Sequence, residues 1–153
     1  MTETGMKELS QFLVEAKRST YASQKGKVAS SRLRSNDLAF RKGSYSYLDS
    51  YFGEKDFSGQ EIVYFDSTPL WSMNYYGRML QDDVPPGFIE TLRGALMSVD
   101  EDNPFRGCSL YSEGKYTYSC FSEGALSFFI GHESITFDQK EVYQLDFHGG
   151  QIR

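Results

Sequence analysis

The stretches YSYLDSYFG (45–53), SGQEIVYFD (58–66) and PLWSMNYYG (69–77) decide the fold of this chain. Residues 45–77, which contain these stretches, hold ten of the chain's 24 aromatic residues, separated by glycines and isolated polar side chains. Tyrosine and tryptophan join a large apolar ring to a polar group. A sheet face rich in these residues is therefore either a core or a surface that holds a ligand or a partner.

Length and composition predict one domain, residues 1–153, with a core of its own. The chain has no apolar run of membrane-spanning length, and its N-terminus lacks the pattern of a secretory signal, so we expect no membrane contact and a cytoplasmic location. Cys108 and Cys120 lack a CxxC spacing and are predicted to be reduced thiols that serve as small core residues.

Charge is spread unevenly along the chain. The net charge is −5, which argues against general nucleic-acid binding, yet residues 17–42 hold half of the lysines and arginines against one acid, Asp37. This segment is interpreted either as a mobile connection or as a basic flap that recruits an anion. Residues 1–36 are too few and too poorly patterned for a helix-turn-helix domain, so no direct DNA binding is expected.

Hydrophobic periodicity predicts two helices. The first runs from Lys7 to Arg18 with Thr4 as its N-cap, and the second from Phe88 to Val99 after Pro85-Pro86-Gly87. Most of the remaining chain alternates with period two, and no internal repeat is evident. The expected fold is α+β, a single domain with a curved antiparallel sheet in the order α-βββ-α-ββββ and two helices packed on one face.

Two hairpins can be aligned from their patterns. Strands 61–66 and 70–76 around Ser67-Thr68-Pro69 would direct Val63, Phe65, Trp71, Met73 and Tyr75 to the core, and Ile62, Tyr64, Ser72, Asn74 and Tyr76 to the other face. Strands 132–137 and 141–148 would place His132, Asp146 and His148 on one non-core side. Strand 45–51 puts Tyr45, Tyr47, Asp49 and Tyr51 together on one side.

Sequence patterns for catalysis are weak. His132, Asp146 and His148 have the residue types of an acid–base or metal cluster, but exposed strand histidines are more often a polar coating. Asp49 and Glu61 are interpreted as a turn-flanking and a strand-edge acid rather than as a catalytic pair. Because no Walker loop, HExxH, GxGxxG or serine elbow is present, we predict no catalytic residue, no metal and no cofactor, and consider an enzyme the less favoured class.

Two polar residues have competing interpretations. Arg106, in the NPFRG loop (103–107), would grip a carboxylate or phosphate in bidentate geometry, or pair at the surface with Asp100, Glu101 or Asp102. Asn74 would brace a neighbouring loop or contact a ligand.

The strings YLDSYFG, FSGQEIV, PLWSMNYYG, PFRGCSLYSEGKYTYSC and FHGGQIR together resemble a bacterial family known only as a domain of unknown function. The resemblance extends from residue 12 to the C-terminus. It implies that some relatives carry an Xre-type helix-turn-helix region in front, which this chain lacks. It implies no established activity.

The leading functional hypothesis is a non-enzymatic small-molecule-binding or sensor module for a small anionic or aromatic ligand. Its predicted site is the tyrosine-rich sheet face, with the lining residues Tyr47, Asp49, Tyr51, Asn74, Tyr76, Arg106 and His148. The alternative is a protein-interaction or homodimerisation surface on the same face. A weaker alternative is a hydrolase-like enzyme that uses His132, Asp146 and His148.

Overall fold

The computed structural model describes residues 1–20, 22–23 and 25–153, and these form two helices and nine strands. The elements, in chain order, are α1 Glu3–Ser19, β1 Lys27–Val28, β2 Asn36–Lys42, β3 Tyr45–Gly53, β4 Phe57–Phe65, β5 Thr68–Met79, α2 Phe88–Met97, β6 Leu110–Glu113, β7 Tyr116–Ala125, β8 Phe128–Phe137 and β9 Lys140–Gln151. Neither described helix combines the length and apolarity needed to cross a membrane.

All nine strands form one antiparallel sheet in the order β1-β2-β3-β4-β5-β9-β8-β7-β6. Two helices and an antiparallel sheet were expected, but five strands rather than three precede α2, so the predicted order α-βββ-α-ββββ was wrong. The additional strands, β1 and β2, come from the basic segment 17–42. Tyr21 and Gln24 of that segment lie outside the described residues.

Helix α1 begins earlier than its pattern suggested. Thr2, not Thr4, is the N-cap, and its hydroxyl oxygen accepts a hydrogen bond from the Gly5 amide at 3.2 Å. The buried stripe includes Leu9, Phe12, Leu13 and Ala16 at helical spacing. Helix α2 starts at Phe88 as expected and ends at Met97, two residues before the predicted end.

The core lies between the helices and one face of the sheet. Helix α1 packs over β2 and β3, and α2 packs over β6 and β7. The covered face contributes the buried residues Tyr47, Val63, Trp71, Met73, Tyr75, Tyr116, Tyr118, Phe129, Ile135, Tyr143, Leu145 and Phe147. The opposite face includes the exposed side chains of Tyr76, Phe121, Phe128 and Ile130.

Both predicted hairpins form, with tighter turns than expected. Phe65 pairs with Thr68 and Phe137 with Lys140, and each hairpin has a β-bulge near its turn whose extra residue lies on the second strand, Leu70 in β5 and Val142 in β9. Period-two alternation assigned Val63, Trp71, Met73 and Tyr75 to the correct, buried face. Their cross-strand partners, however, are shifted relative to the predicted pairing. Phe65, assigned to the core, is 42% exposed.

The fold contains an internal repeat that the sequence analysis missed. Each half is one helix followed by a four-stranded meander, α1-β2-β3-β4-β5 and α2-β6-β7-β8-β9, and the halves meet where β5 pairs with β9. The strings FSGQEIVYFD (57–66) and FIGHESITFD (129–138) share phenylalanine, glycine, glutamate and aspartate at matching positions, and GSYSY (43–47) matches GKYTY (114–118).

Backbone conformations repeat at equivalent positions of the two halves. Asp66 and Ser67 have φ of 46° and 68°, and their equivalents Asp138 and Gln139 have 48° and 68°. Gly53 and Gly124 open equivalent loops with φ of 94° and 99°. Since Tyr75 pairs with its own equivalent, Phe147, a pseudo-twofold axis passes through the centre of the sheet at this pair.

Candidate functional site

A pocket of about 310 Å³ opens between the first half of the sheet and α2. We call it the open pocket and define it by five aromatic side chains on five different elements: Tyr51 on β3, Phe57 on β4, Tyr75 on β5, Phe88 on α2 and Tyr143 on β9. Phe57 stacks on Tyr143 with ring centroids 6.3 Å apart and lies edge-on to Tyr75 at 6.1 Å. The open pocket therefore has aromatic walls on several sides.

Glycines on neighbouring strands make room for these rings. A Cβ atom on Gly77 would lie 2.5 Å from the Phe57 ring, and one on Gly59 would lie 2.3 Å from the Tyr75 hydroxyl oxygen. Glycine at these two strand positions lets each ring lie across the neighbouring backbone. The local sequence thus fixes the direction of the pocket walls.

Two of the wall tyrosines are anchored by buried carboxylates. Tyr75 donates a hydrogen bond to Asp49 Oδ1 at 2.7 Å, and Tyr143 donates one to Glu133 Oε1 at 2.7 Å. Burial, with the nearby carboxylate of Asp49, raises the pKa of Tyr75 well above its ordinary value, so the hydroxyl remains a donor at neutral pH. These bonds hold both rings in fixed orientations.

Behind the walls lies a network of buried charges in two equivalent parts. In the first half, Glu61 accepts from Lys17 Nζ at 2.5 Å and from the Tyr47 hydroxyl at 2.5 Å. In the second half, Glu133 takes the equivalent place. Arg106 binds it in bidentate geometry, Nε and Nη2 each at 3.0 Å, and Tyr118 donates to it at 2.6 Å.

The two buried ion pairs, Lys17–Glu61 and Arg106–Glu133, respond differently to burial. Burial lowers the pKa of Lys17 below its ordinary value despite the attraction of Glu61. Burial pushes the pKa of Glu133 upward, but the charge and hydrogen bonds of Arg106, with those of two tyrosines, outweigh it, and the pKa ends below its ordinary value. The Arg106–Glu133 pair is thus fully ionised at neutral pH, because an arginine does not deprotonate in proteins.

Asp49 is a strongly perturbed carboxyl group of the network. It pairs across β3 and β4 with Glu61, and both side chains are buried. Burial and the repulsion of Glu61 raise the pKa of Asp49 to about 7. Its equivalent in the second half is Cys120, a free thiol whose pKa burial and Glu133 raise to about 12.

The second half contains the equivalent of the open pocket, but a phenylalanine occupies it. We call this the filled pocket: Trp71, Phe129 and Phe147 stand where Tyr143, Phe57 and Tyr75 stand in the first half, and Phe105 lies among them. Phe129 stacks on Trp71 at 5.6 Å and on Phe105 at 4.0 Å. Phe105 is also 6.1 Å from Phe147 and only 4% exposed.

The rim of the open pocket carries charge. Glu54, Lys55 and Arg93 line it, and Lys55 lies 3.5 Å from exposed Asp82. Arg93 makes no ion pair with any described residue. A ligand in the pocket would therefore have its apolar part against the rings and a polar part near these side chains.

The seven predicted lining residues fall on two opposite faces of the sheet. Tyr47, Asp49, Tyr51 and Arg106 lie on the helix-covered side, where Tyr51 lines the open pocket and the other three belong to the buried network. Strand 45–51 was thus correctly kept together, but on the wrong side. Arg106 pairs with Glu133 rather than with a neighbouring acid of its loop.

Asn74, Tyr76 and His148 lie on the opposite face. There Gln60 donates a hydrogen bond to Asn74 Oδ1 at 2.7 Å, so the predicted bracing of a loop is not observed. His132 and Asp146 share a non-core side, as predicted, and pair across β8 and β9 with Nδ1 and Oδ1 2.7 Å apart. Within the described residues, no group of three or more histidine, cysteine or acidic side chains is placed to hold a metal ion.

Sequence analysis missed four of the five open-pocket rings. Tyr75 was assigned to an ordinary core, and Phe57, Phe88 and Tyr143 were not considered as site residues. The detectable signal was the cross-strand pairing of glycine with aromatic residues, Gly59 with Tyr75 and Gly131 with Phe147. It could be recognised only after the repeat was aligned.

Comparison with known proteins gives a family match over most of the chain. Searches of curated proteins and of solved structures each give no match to the chain. A family model described as Domain of unknown function (DUF5680) matches residues 49–152, which extend from β3 through β9 and contain all five rings of the open pocket. Because the match covers more than half of the chain, the protein belongs to the DUF5680 family.

Proposed function

We propose that this chain is a non-enzymatic small-molecule-binding or sensor module whose site is the open pocket. The observation that supports this proposal is the convergence of five aromatic side chains on a pocket of about 310 Å³. Ligand sites are typically concave, mostly apolar and provided with a few placed polar groups, and this volume is at the lower end of their range. The tyrosine-rich tract remains central, but its helix-covered side is the proposed site.

The pocket walls are held in place before any ligand binds. Tyr75 and Tyr143 are hydrogen-bonded to buried carboxylates, and buried polar side-chain atoms of the described residues all have partners. A preorganised wall loses little side-chain entropy when a ligand is bound, which favours affinity. Such an arrangement suits binding and release better than bond-breaking chemistry.

A thermal-shift screen with a broad library of aromatic acids, nucleotides, amines and aliphatic acids tests the proposal. We expect at least one class to raise the Tm of the wild-type protein and of Phe128→Leu, whose ring is exposed on the opposite face, but not of Phe57→Leu. If no compound stabilises the wild type, or if hits stabilise Phe57→Leu equally, the open pocket is not a binding site.

The opposite sheet face supports a second candidate, self-association. Phe121, Phe128 and Ile130 are 65%, 71% and 50% exposed on adjacent strands β7 and β8. His132 and Asp146 beside them form a polar pair, as at the polar rim of an interface. Light scattering tests this candidate, and a monomer at millimolar concentration would eliminate it.

The remaining alternatives rest on the sequence alone. A hydrolase-like role for His132, Asp146 and His148 stays a prediction, and the His132–Asp146 contact is exposed rather than enclosed. If an activity is found, its retention in His148→Ala would remove that alternative. The cytoplasmic location, the lack of DNA binding and the relation to helix-turn-helix regulators also stay predictions.

A further inference from the structure

Phe57 and Phe129 occupy equivalent positions in the two halves but differ in their ring neighbours. Phe129 contacts Trp71, Phe147 and Phe105, whereas Phe57 contacts only Tyr143 and Tyr75 among the described residues. The two shared contacts have similar geometry, with interplanar angles of 17° and 18° for the stacked pairs. Among the described residues, no ring stands beside Phe57 as Phe105 stands beside Phe129.

The chain supplies Phe105 through the connection between α2 and β6. This connection is tied to α1, because Ser10 donates to the Glu101 carbonyl and Arg18 donates to the Val99 carbonyl. The described part of the equivalent connection, residues 20–35, forms β1 at the sheet edge and places Arg32 over Phe52. Its one aromatic residue, Tyr21, lies outside the described residues.

Resting on the small-molecule function proposed above, we propose that the ligand of the open pocket contains a planar aromatic ring, which stacks on Phe57 as Phe105 stacks on Phe129. The filled pocket shows how a ring fits between these walls. There the ring centroid of Phe105 lies 4.0 Å from that of Phe129, and we expect a ligand ring to lie against Phe57 in the same way. Offset stacking contributes beyond the area that a ring buries, so a flat ring is favoured over a puckered one.

The rim suggests which aromatic compound to use as a probe. Arg93 and Lys55 can receive an acidic group, while the aromatic walls receive the ring system. Naphthalene-2-carboxylate offers both parts. Decahydronaphthalene-2-carboxylate has the same carbon skeleton and charge but no planar ring, and is therefore the matched control.

Isothermal titration of the wild-type protein with both compounds tests the proposal. We expect the aromatic acid to bind with a stoichiometry of one and about tenfold tighter than its saturated counterpart, which corresponds to one stacking contact. Phe57→Leu should remove this preference, and Phe128→Leu should keep it. Equal binding of both acids would overturn the aromatic-ring proposal while leaving the small-molecule function in place, whereas failure of every compound in the broad library would remove the function itself.

The filled pocket offers a second, independent measurement. Phe105→Ala should open the equivalent site, so that naphthalene-2-carboxylate binds with a stoichiometry of two and changes the fluorescence of Trp71, the only tryptophan. Indifference of Trp71 to the ligand in this variant would contradict the equivalence of the two sites. If Phe105→Ala does not fold, Phe105→Leu with the same readout replaces it, and the wild-type comparison of the two acids still decides the proposal.

Discussion

The two halves of this protein share a helix, a four-stranded meander and an aromatic pocket, yet use the pocket in opposite ways. In the second half, Phe105 completes the cluster and Arg106, the next residue, neutralises Glu133. In the first half, Lys17 neutralises Glu61, and the place beside Phe57 opens to solvent. The difference teaches that one connecting loop can convert a site into core without changing the sheet beneath it.

The largest expected effect is a difference in stability between two alanine variants, Phe105→Ala and Phe57→Ala. Phe105→Ala should lower the free energy of unfolding by about 3–5 kcal/mol, because a buried ring is replaced by a cavity. Phe57→Ala should cost less, about 1–3 kcal/mol, since its ring already borders an open space. Urea denaturation measures both, with exposed Phe128→Ala as a control expected within about 0.5 kcal/mol of wild type. Equal losses at Phe57 and Phe105 would show that the pockets do not differ in packing.

The two buried glutamates should also differ. Glu133→Gln leaves the Arg106 guanidinium buried with no counter-charge, and we expect a loss of about 3–5 kcal/mol. Glu61→Gln should cost about 1–3 kcal/mol, because Lys17, with its lowered pKa, can give up its proton instead. The same denaturation measurements decide this, and a greater loss in Glu61→Gln would contradict the role assigned to Lys17.

Asp49 should make stability depend on pH in the first half only. Its folded pKa of about 7 lies above its ordinary value, so the folded protein holds a proton that the unfolded chain releases. Stability should therefore fall as the pH rises from about 4 to about 7, by on the order of 2–4 kcal/mol, and then level off.

Thermal unfolding between pH 5 and pH 8 checks this expectation. Asp49→Asn, which can still accept from Tyr75, should flatten the curve, whereas the exposed Asp146→Asn should not. A pH dependence that persists in Asp49→Asn would assign the titration to another group. The equivalent Cys120 should add nothing in this range, because its thiol pKa is raised to about 12.

The smallest expected difference concerns the glycines beneath the rings. Gly131→Ala would bring a Cβ to 2.1 Å from the Phe147 ring, which Phe105 confines, and should cost about 1–3 kcal/mol. Gly59→Ala meets Tyr75 at 2.3 Å, but this ring can tilt towards the open pocket, so the loss should be nearer 1 kcal/mol. Thermal unfolding of the two variants would sharpen the comparison, and a greater cost at Gly59 would speak against free space beside Tyr75.

Local sequence patterns predicted the parts of the fold that depend on side-chain alternation. Val63, Trp71 and Met73 were placed on the covered face because a period of two survives an error in the partner strand. The side chains of Tyr47, Asp49 and Tyr51 were assigned to the wrong face of the sheet. Their side depends on the pairing of β3 with β4, which no turn in the sequence specifies. The pairing of Lys17 with Glu61 could not be predicted, because the two residues are 44 positions apart and meet only through packing.

The internal repeat was missed for a related reason. The matching positions are 71 residues apart up to the Gly53 and Gly124 loops and 72 apart beyond them, because the second loop is one residue longer. Tyr47 and Tyr118 match at the first spacing, and Glu61 and Glu133 at the second. Scattered identities with a shift in spacing are weak in a single sequence, but the hydrogen bonds of these tyrosines to these glutamates make the repeat plain.

The strand order has a consequence for the folding pathway. Every neighbouring pair in the sheet is consecutive in the sequence except β5 with β9, which joins Tyr75 to Phe147. Hairpins between consecutive strands close short loops and form within microseconds, whereas a contact across 72 residues carries a larger entropic cost of loop closure. We therefore expect the two halves to develop separately and the closure of the β5–β9 seam to limit the folding rate, because both meanders must be present before it can close.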